Sequence, residues 1–322
     1  MRKKVIVFSQ FDQDIQARLE SRYQVVVLNP KAGDINQQIR QEVVDADAMI
    51  GAGRLLNESN LEPAQKLKII SSVSVGYDNY DLQYLNQKKI WLSNTPHVLT
   101  ESTADLAFTL LMSAARKVPS LDQWTKQGEW KRTVGSAQFG QDIFGKTLGI
   151  IGLGNIGAAI ARRGFYGFNM NIIYHNRREK LEAAQPLNAQ YKSLEELLQQ
   201  SDFVVVAVDL NHDSQALMGV KEFGLMQKHA VFINIARGSV VDEQALIEAL
   251  QHKQIFAAAL DVYQREPLQE SPLFQLDNVV TLPHIGSATA ETRKKMAELA
   301  YQNLVDALED RTPRYLVNSN FN

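Results

Sequence analysis

"TLGIIGLGNIGAAIARRGF", residues 147–165, decides how the rest of the chain is read. It sets Gly152, Gly154 and Gly157 between a short apolar run and a segment of helical period. Glycines are common at turns, and the spacing alone carries little. With a strand before it and a helix after it, the same spacing marks a dinucleotide-binding loop. Gly152 permits the tight turn, Gly154 lets a pyrophosphate approach the backbone, and Gly157 lets helix and strand pack closely. The helix then starts at Asn155 and Ile156 and offers unpaired N–H groups and a partial positive charge to the phosphates.

The following strand runs into "IIYHNRR", residues 172–178. A carboxylate is expected about 20 residues beyond the loop, where it binds the adenosine ribose of NAD. His175, Asn176, Arg177 and Arg178 stand there instead. Losing the acid removes repulsion from a 2′-phosphate, and two guanidinium groups supply donors for it. The expected cofactor is therefore NADPH in preference to NADH, with NAD as the lesser possibility.

Outward from this loop, short apolar runs alternate with helix-period segments, which favours β-α-β units and parallel sheets. "TLGIIG", "NIIYH", "FVVVAV", "AVFINIA", "FAAALDV" and "VVTLP" predict the six strands of a complete dinucleotide-binding sheet. Upstream, "KVIVF", "QVVVLN", "AMIGA", "KIISSVS" and "IWLSN" predict a separate set of strands before residue 99. "TESTADLAFTLLMSAARKV" predicts a long helix from Thr100, with Ser102 and Asp105 spaced as a capping box. Another helix is expected from about Thr289 to Asp310. The fold class is α/β, with two Rossmann-like or flavodoxin-like parallel sheets.

At 322 residues the chain exceeds one typical core, so two domains are expected. Its 45% hydrophobic and 22% charged residues are those of an ordinary globular protein. A net charge of −2 gives no electrostatic case for nucleic acid or an anionic membrane. No run approaches the roughly 20 apolar residues that span a bilayer, and the N-terminal "MRKKVIVF" lacks the apolar core of a signal peptide. A cytoplasmic place is expected. The absence of cysteine excludes disulfides, thiol catalysis and thiolate metal sites together. His97, His175, His212, His229 and His252 show no metal-ligand spacing, and no metal site is expected.

Three stretches then put a polar residue beyond an apolar strand, at the end of an open α/β sheet where ligands bind. They are "FINIARGSVVDE" with Arg237, "LDVYQREPL" with Asp261 and Glu266, and "TLPHIGSAT" with His284. A cation, a carboxylate and an imidazole form a carbonyl-reducing set. Taken singly, each has an ordinary reading: a surface arginine, a turn acid before Pro267, a core histidine.

"SVGYDNYD", "GIIGLGNIG", "FINIARGSVVDE", "LDVYQREPL" and "LPHIGSAT" together, in this order, resemble the D-isomer-specific 2-hydroxyacid dehydrogenases over nearly the whole chain. The text is most similar to the branch of glyoxylate/hydroxypyruvate and 2-ketogluconate reductases. The resemblance implies a substrate domain of residues 1–99 plus 289–322, with a dinucleotide domain of residues 100–288 inserted into it. It implies His284 as general acid, Glu266 as its partner and Arg237 as a catalytic, substrate-binding arginine. Backbone N–H groups of Val75 and Gly76 are implied for the substrate carboxylate, Asp261 for the nicotinamide carboxamide, and Thr103 beside the nicotinamide.

These roles suit a small 2-keto acid substrate. Hydride delivery puts negative charge on the keto oxygen, so a cation and a proton donor are needed there. Arg237 offers a fork for the carboxylate, and a carboxylate beside His284 favours its donating form. A cleft between two domains that closes would exclude water before transfer. One departure is "VDLNHD", where the family commonly has proline and threonine near Asp209 and Asn211. The resemblance also implies a homodimer built on the cofactor domain. Trp124 or Trp130 would reach the neighbouring active site, while at least one of the two is expected to be buried. Arg54 of "GAGRLL" is expected to be a solvated loop residue more often than a contact for a polar substrate tail. Two alternatives stand beside the reductase: an NAD-linked D-lactate or D-3-phosphoglycerate dehydrogenase, and a dinucleotide-sensing corepressor.

Overall fold

The computed structural model describes residues 2–9 and 12–318. The chain divides into two compact units, residues 1–99 with 288–322 and residues 100–287.

In the first unit five parallel strands are ordered β2-β1-β3-β4-β5, with β1 Lys4–Val7, β2 Gln24–Val27, β3 Ala48–Gly51, β4 Ile69–Ser72 and β5 Trp91–Ser93. This is the flavodoxin-like order. Every residue of β1, β3 and β4 is buried, as expected for parallel strands covered on both faces. Val5, Val7, Ile50 and Ile69 pack against Ile15, Leu19, Ala300 and Leu304 on one face. Ile6, Met49 and Ile70 meet Ile39 and Leu85 on the other. The alternation follows the two-residue strand period. The helix Ala290–Leu308 thereby returns to the sheet of the N-terminal strands, and Ser71 Oγ donates to Ala300 O at 2.8 Å.

The second unit has seven parallel strands, in the order β12-β11-β10-β9-β6-β7-β8. They are β6 Thr147–Ile151, β7 Asn171–His175, β8 Gln190–Tyr191, β9 Phe203–Val206, β10 Val231–Asn234, β11 Ala257–Leu260 and β12 Val279–Thr281. Six of them are the runs read from the sequence. The seventh, β8, is a two-residue edge strand whose exposed Gln190 and Tyr191 carry no apolar signal. Strand order reverses between β6 and β9, which makes their carboxyl ends the topological switch point.

The helix Asn155–Phe168 starts from Gly154 as its N-cap, directly after β6. Leu148 and Ile150 of the strand pack with Ile160 of this helix and with Phe108 and Leu111 of the helix Thr100–Ala115. The second helix begins at Thr100, so Ser102 and Asp105 lie inside it and form no capping box. Ser102 Oγ instead donates to Gly286 O at 3.2 Å, and Asp105 Oδ1 accepts from Arg163 Nη2 at 2.5 Å. Buried Ala104, Ala107, Ala114 and Ala115 make the body of this helix a core element. Between Ala115 and β6, the helix Val118–Lys126 leads into a stretch that exposes Trp130, Val134, Phe139 and Phe144. Trp124 is half-buried and Trp130 is exposed, so neither packs as a core residue.

Candidate active site

The glycine loop has the geometry its spacing requires. Gly152 has φ +102°, and a Cβ there would meet Ala207 O at 2.6 Å. At Gly157 a Cβ would lie 2.1 Å from Gly152 O, so helix and loop touch backbone to backbone. At Gly154 a Cβ would meet no protein atom within 4 Å. The loop is therefore tight on its protein side and open at the helix N-terminus, which fits a pyrophosphate approaching the N–H groups from Asn155 onward.

The end of β7 is tied to this loop. Gly152 N donates to His175 O at 2.9 Å, and Leu153 N donates to Asn176 Oδ1 at 2.7 Å. Asn176 thus braces the loop with its side chain. His175 Nδ1 hydrogen-bonds Lys192 O at 2.9 Å, and its ring stacks on Tyr191 with centroids 6.1 Å apart. Tyr191 in turn donates to Asn176 O at 3.0 Å. Arg177 Nη1 lies 3.2 Å from Asp213 Oδ2, and the side chains of both are well exposed. Arg178 is exposed as well.

The chemical residues lie at the other wing of the same sheet. β10, β11 and β12 are adjacent, and their carboxyl ends lead into the segments holding Arg237, Asp261 with Glu266, and His284. His284 Nδ1 and Glu266 Oε2 are 2.6 Å apart. The other carboxylate oxygen of Glu266 accepts from Tyr263 N at 3.0 Å, so the acid is held at both ends. Burial pushes the Glu266 carboxyl up, but the His284 hydrogen bond, the Tyr263 N–H and the charges of His284 and Arg237 outweigh it. The net direction is below the ordinary carboxylate value, which keeps the partner of the imidazole ionised.

Arg237 is positioned by Asn234, whose Nδ2 donates to Arg237 O at 3.0 Å while its Oδ1 accepts from Ala236 N at 3.0 Å. The next residue, Gly238, lies against the Tyr263–Gln264 backbone so closely that a Cβ would fall 1.8 Å from Tyr263 C. This contact draws the arginine loop up to the loop of Glu266.

Asp261 is buried, and its two oxygens accept from Ile285 N at 2.7 Å and Gly286 N at 2.8 Å. Burial raises its carboxyl above the ordinary value against the opposing pull of those two N–H groups. Thr103, also buried, donates to Gly286 O at 3.2 Å. Both residues therefore clamp the segment just after His284, whose own φ is +54°. The imidazole is presented by a strained backbone held from behind.

In the first unit, Val75 and Gly76 lie in the loop after β4, and Asn94 Nδ2 donates to Val75 O at 2.9 Å. Among the described residues, no protein acceptor takes the N–H of Val75 or Gly76. Arg54 is half-buried, with Nε donating to Phe8 O at 3.1 Å, so it is anchored rather than freely solvated.

Several positions escaped the sequence reading. Asn234, Gly238, Tyr263 and Asp213 bear on the site through contacts with residues 3 to 36 positions away along the chain. The tyrosine hydroxyl reaches both Leu260 O and Leu282 O, joining the ends of β11 and β12. Tyr263, Leu268, Phe274 and Pro283, with Glu266 and His284, line a cavity of about 420 Å³. Only the placement of Asn234 and Tyr263 next to the polar stretches offered a sequence signal. No helix among the described residues is long and apolar enough to cross a membrane.

Residues 108–286 match the family model of the D-isomer specific 2-hydroxyacid dehydrogenase, NAD binding domain. The glyoxylate/hydroxypyruvate reductase B of Enterobacter sp. (strain 638) is 44% identical over 327 residues, covering all of both chains. The Escherichia coli (strain K12) protein of the same name is also 44% identical, over 99% of this chain and 98% of its own. Among solved structures, the NADPH-dependent glyoxylate/hydroxypyruvate reductase of Sinorhizobium meliloti, in complex with NADP and malonate, matches with a TM-score of 0.86. It is 30% identical, over 98% of this chain and 97% of that one. A Thermus thermophilus protein matches with a TM-score of 0.89 and 37% identity, over 98% and 100% of the two chains.

Proposed function

This chain belongs to the D-isomer-specific 2-hydroxyacid dehydrogenase family, and from that premise we propose that it reduces glyoxylate and hydroxypyruvate with a preference for NADPH. It is an NAD(P)-dependent oxidoreductase. The observation that carries this reading is the His284–Glu266 pair at 2.6 Å, in the loops after β12 and β11, with Arg237 in the loop after the next strand, β10. An imidazole braced by an ionised carboxylate is a proton donor held in one orientation.

The glycine loop and the helix from Asn155 would hold a nicotinamide dinucleotide, which would supply the hydride. The protein's own residues handle the carboxylate, the proton and the developing charge. Arg237 pairs with the substrate carboxylate in a fork geometry and polarises the keto oxygen. The N–H groups of Val75 and Gly76 are assigned to the same carboxylate. His284 keeps Nδ1 on Glu266, which leaves Nε2 to give its proton to the oxygen as the C–H bond forms. Hydroxypyruvate would give a D-2-hydroxy acid, and glyoxylate the achiral 2-hydroxy acid. Asp261 and Thr103, assigned to the nicotinamide end, also hold the loop that sets the height of the imidazole.

The cofactor preference rests on the missing acid at the end of β7 and on Arg177 and Arg178 beside it. One matrix of initial rates tests the whole assignment: glyoxylate, hydroxypyruvate, pyruvate and 2-ketogluconate, each with NADPH and with NADH. Turnover of glyoxylate and hydroxypyruvate that is faster with NADPH is expected. A clear NADH preference would remove the cofactor reading, and no turnover on any keto acid would favour a sensor.

The assembly proposed is a homodimer built on residues 100–287. The stretch before β6 exposes Trp130, Val134, Phe139 and Phe144 together, an apolar set suited to burial against a second copy. Light scattering on the purified chain reads the mass directly, and a monomer at micromolar concentration would end this proposal.

A further inference from the structure

Arg177 is not alone at the end of β7. Its Nη1 stands 3.2 Å from Asp213 Oδ2, and the acid belongs to the loop after β9. That loop is well built. Asn211 Oδ1 accepts from Asp213 N at 2.9 Å and from Ser214 N at 3.3 Å. Ser214 Oγ donates to Asp209 O at 2.7 Å, and Asn211 N donates to Ser214 Oγ at 2.8 Å. Ser214 is buried, while His212 is fully exposed with Nδ1 3.6 Å from Asp213 Oδ1. The backbone of Asp213 is therefore fixed, and its carboxylate is held out toward the guanidinium.

We propose that Asp213 is a specificity-determining residue that narrows the discrimination between 2′-phosphorylated and unphosphorylated cofactor. The proposal rests on reading the end of β7 as the adenosine-ribose subsite. In the free protein the carboxylate occupies Arg177. With a 2′-phosphate on Arg177, the same carboxylate stands beside a group carrying a charge of about −1.5 to −2 and repels it. A 2′-hydroxyl has no such charge, so NAD is spared. The effect is a tax on the 2′-phosphorylated cofactor alone.

The test is equilibrium binding of NADP⁺ and NAD⁺, which differ only in the 2′-phosphate, to the full-length protein and to Arg177→Ala and Asp213→Asn. Arg177→Ala is expected to weaken NADP⁺ more than NAD⁺. Asp213→Asn is expected to raise the NADP⁺/NAD⁺ affinity ratio by roughly three- to tenfold at low salt, the scale of one like-charge interaction near the surface. Raising the ionic strength to about 1 M, where the screening length is about 3 Å, should erase most of that gain. If Arg177→Ala costs both cofactors equally, Arg177 does not hold the 2′-phosphate and the proposal fails, while the ribose-end reading stands or falls on the same test of Arg178→Ala. If Arg177→Ala is selective but Asp213→Asn leaves the ratio unchanged or lowers it, the proposal alone is overturned. A gain that persists at high salt would mean a rearranged loop, and it too would overturn the electrostatic role.

Discussion

Replacing Glu266 by Gln removes a charge while keeping the side chain's length and an oxygen that can face His284. In the structure that carboxylate makes a 2.6 Å contact to Nδ1 and a second bond to Tyr263 N. A hydrogen bond to a charged group contributes roughly 1.5–3 kcal/mol. The side chains of His284 and Glu266 are 48% and 34% exposed, which favours the lower half of that range because solvent screens the pair. About 1.5–2 kcal/mol of lost support for the proton donor corresponds to a fall in kcat of roughly 10- to 30-fold. The assay is the loss of NADPH absorbance at saturating hydroxypyruvate, with KM measured in the same runs. KM is expected to change little, because the substrate carboxylate is assigned to Arg237, Val75 and Gly76. A variant that keeps kcat within about threefold of wild type, with cofactor binding intact, would show that the acid does not support the imidazole in the reaction.

Other expectations reach the same site from different sides. His284→Ala should lower kcat by roughly 10²–10⁴-fold with cofactor binding retained, checked by initial rates together with NADPH titration. Gly157→Ala places a Cβ 2.1 Å from Gly152 O, and cofactor affinity should fall together with a stability loss of about 1–3 kcal/mol, read by titration and by thermal melting. Glu266 is held below its ordinary value of 4.5 in the folded chain, so its ionised form stabilises the fold above that value and the contribution is lost as pH falls through the lowered one. The melting temperature of Glu266→Gln should therefore lie below wild type at neutral pH, and the gap should close as pH falls below the ordinary carboxylate value.

Much of this arrangement is legible in the sequence, because its signals are local. A strand, three glycines and a helix lie within residues 147–165, and the apolar runs that form β6, β7 and β9–β12 are each continuous in sequence. β8 is invisible there because two exposed residues pair with β7 without burying anything. The expected cap at Ser102 fails for a different reason. The helix begins two residues earlier, at Thr100, so Ser102 lies inside its first turn and bonds Gly286 in the loop of His284. The chemical residues can be named only through resemblance. Arg237, Glu266 and His284 are separated along the chain, and they meet because β10, β11 and β12 are neighbours in the sheet. Strand order is a property of the whole sheet, and no short window contains it. The same holds for Asp213, whose partner is 36 positions away.

The seven-stranded sheet also divides the labour of the protein by wing. The residues proposed for the adenosine end of the nucleotide lie at the ends of β6, β7 and β9, and those proposed for the carbonyl and the nicotinamide lie after β10, β11 and β12. Distant, unconnected changes add in free energy, whereas changes within one contact network do not. Redesigning cofactor choice at residues 175–178 and 213 should therefore combine additively with redesigning substrate choice around Leu268 and Phe274. The paired strands β9 and β10 join the two halves. Substitutions there would spread into each, so an engineer or a drifting population can retune either wing freely only while that junction is left alone.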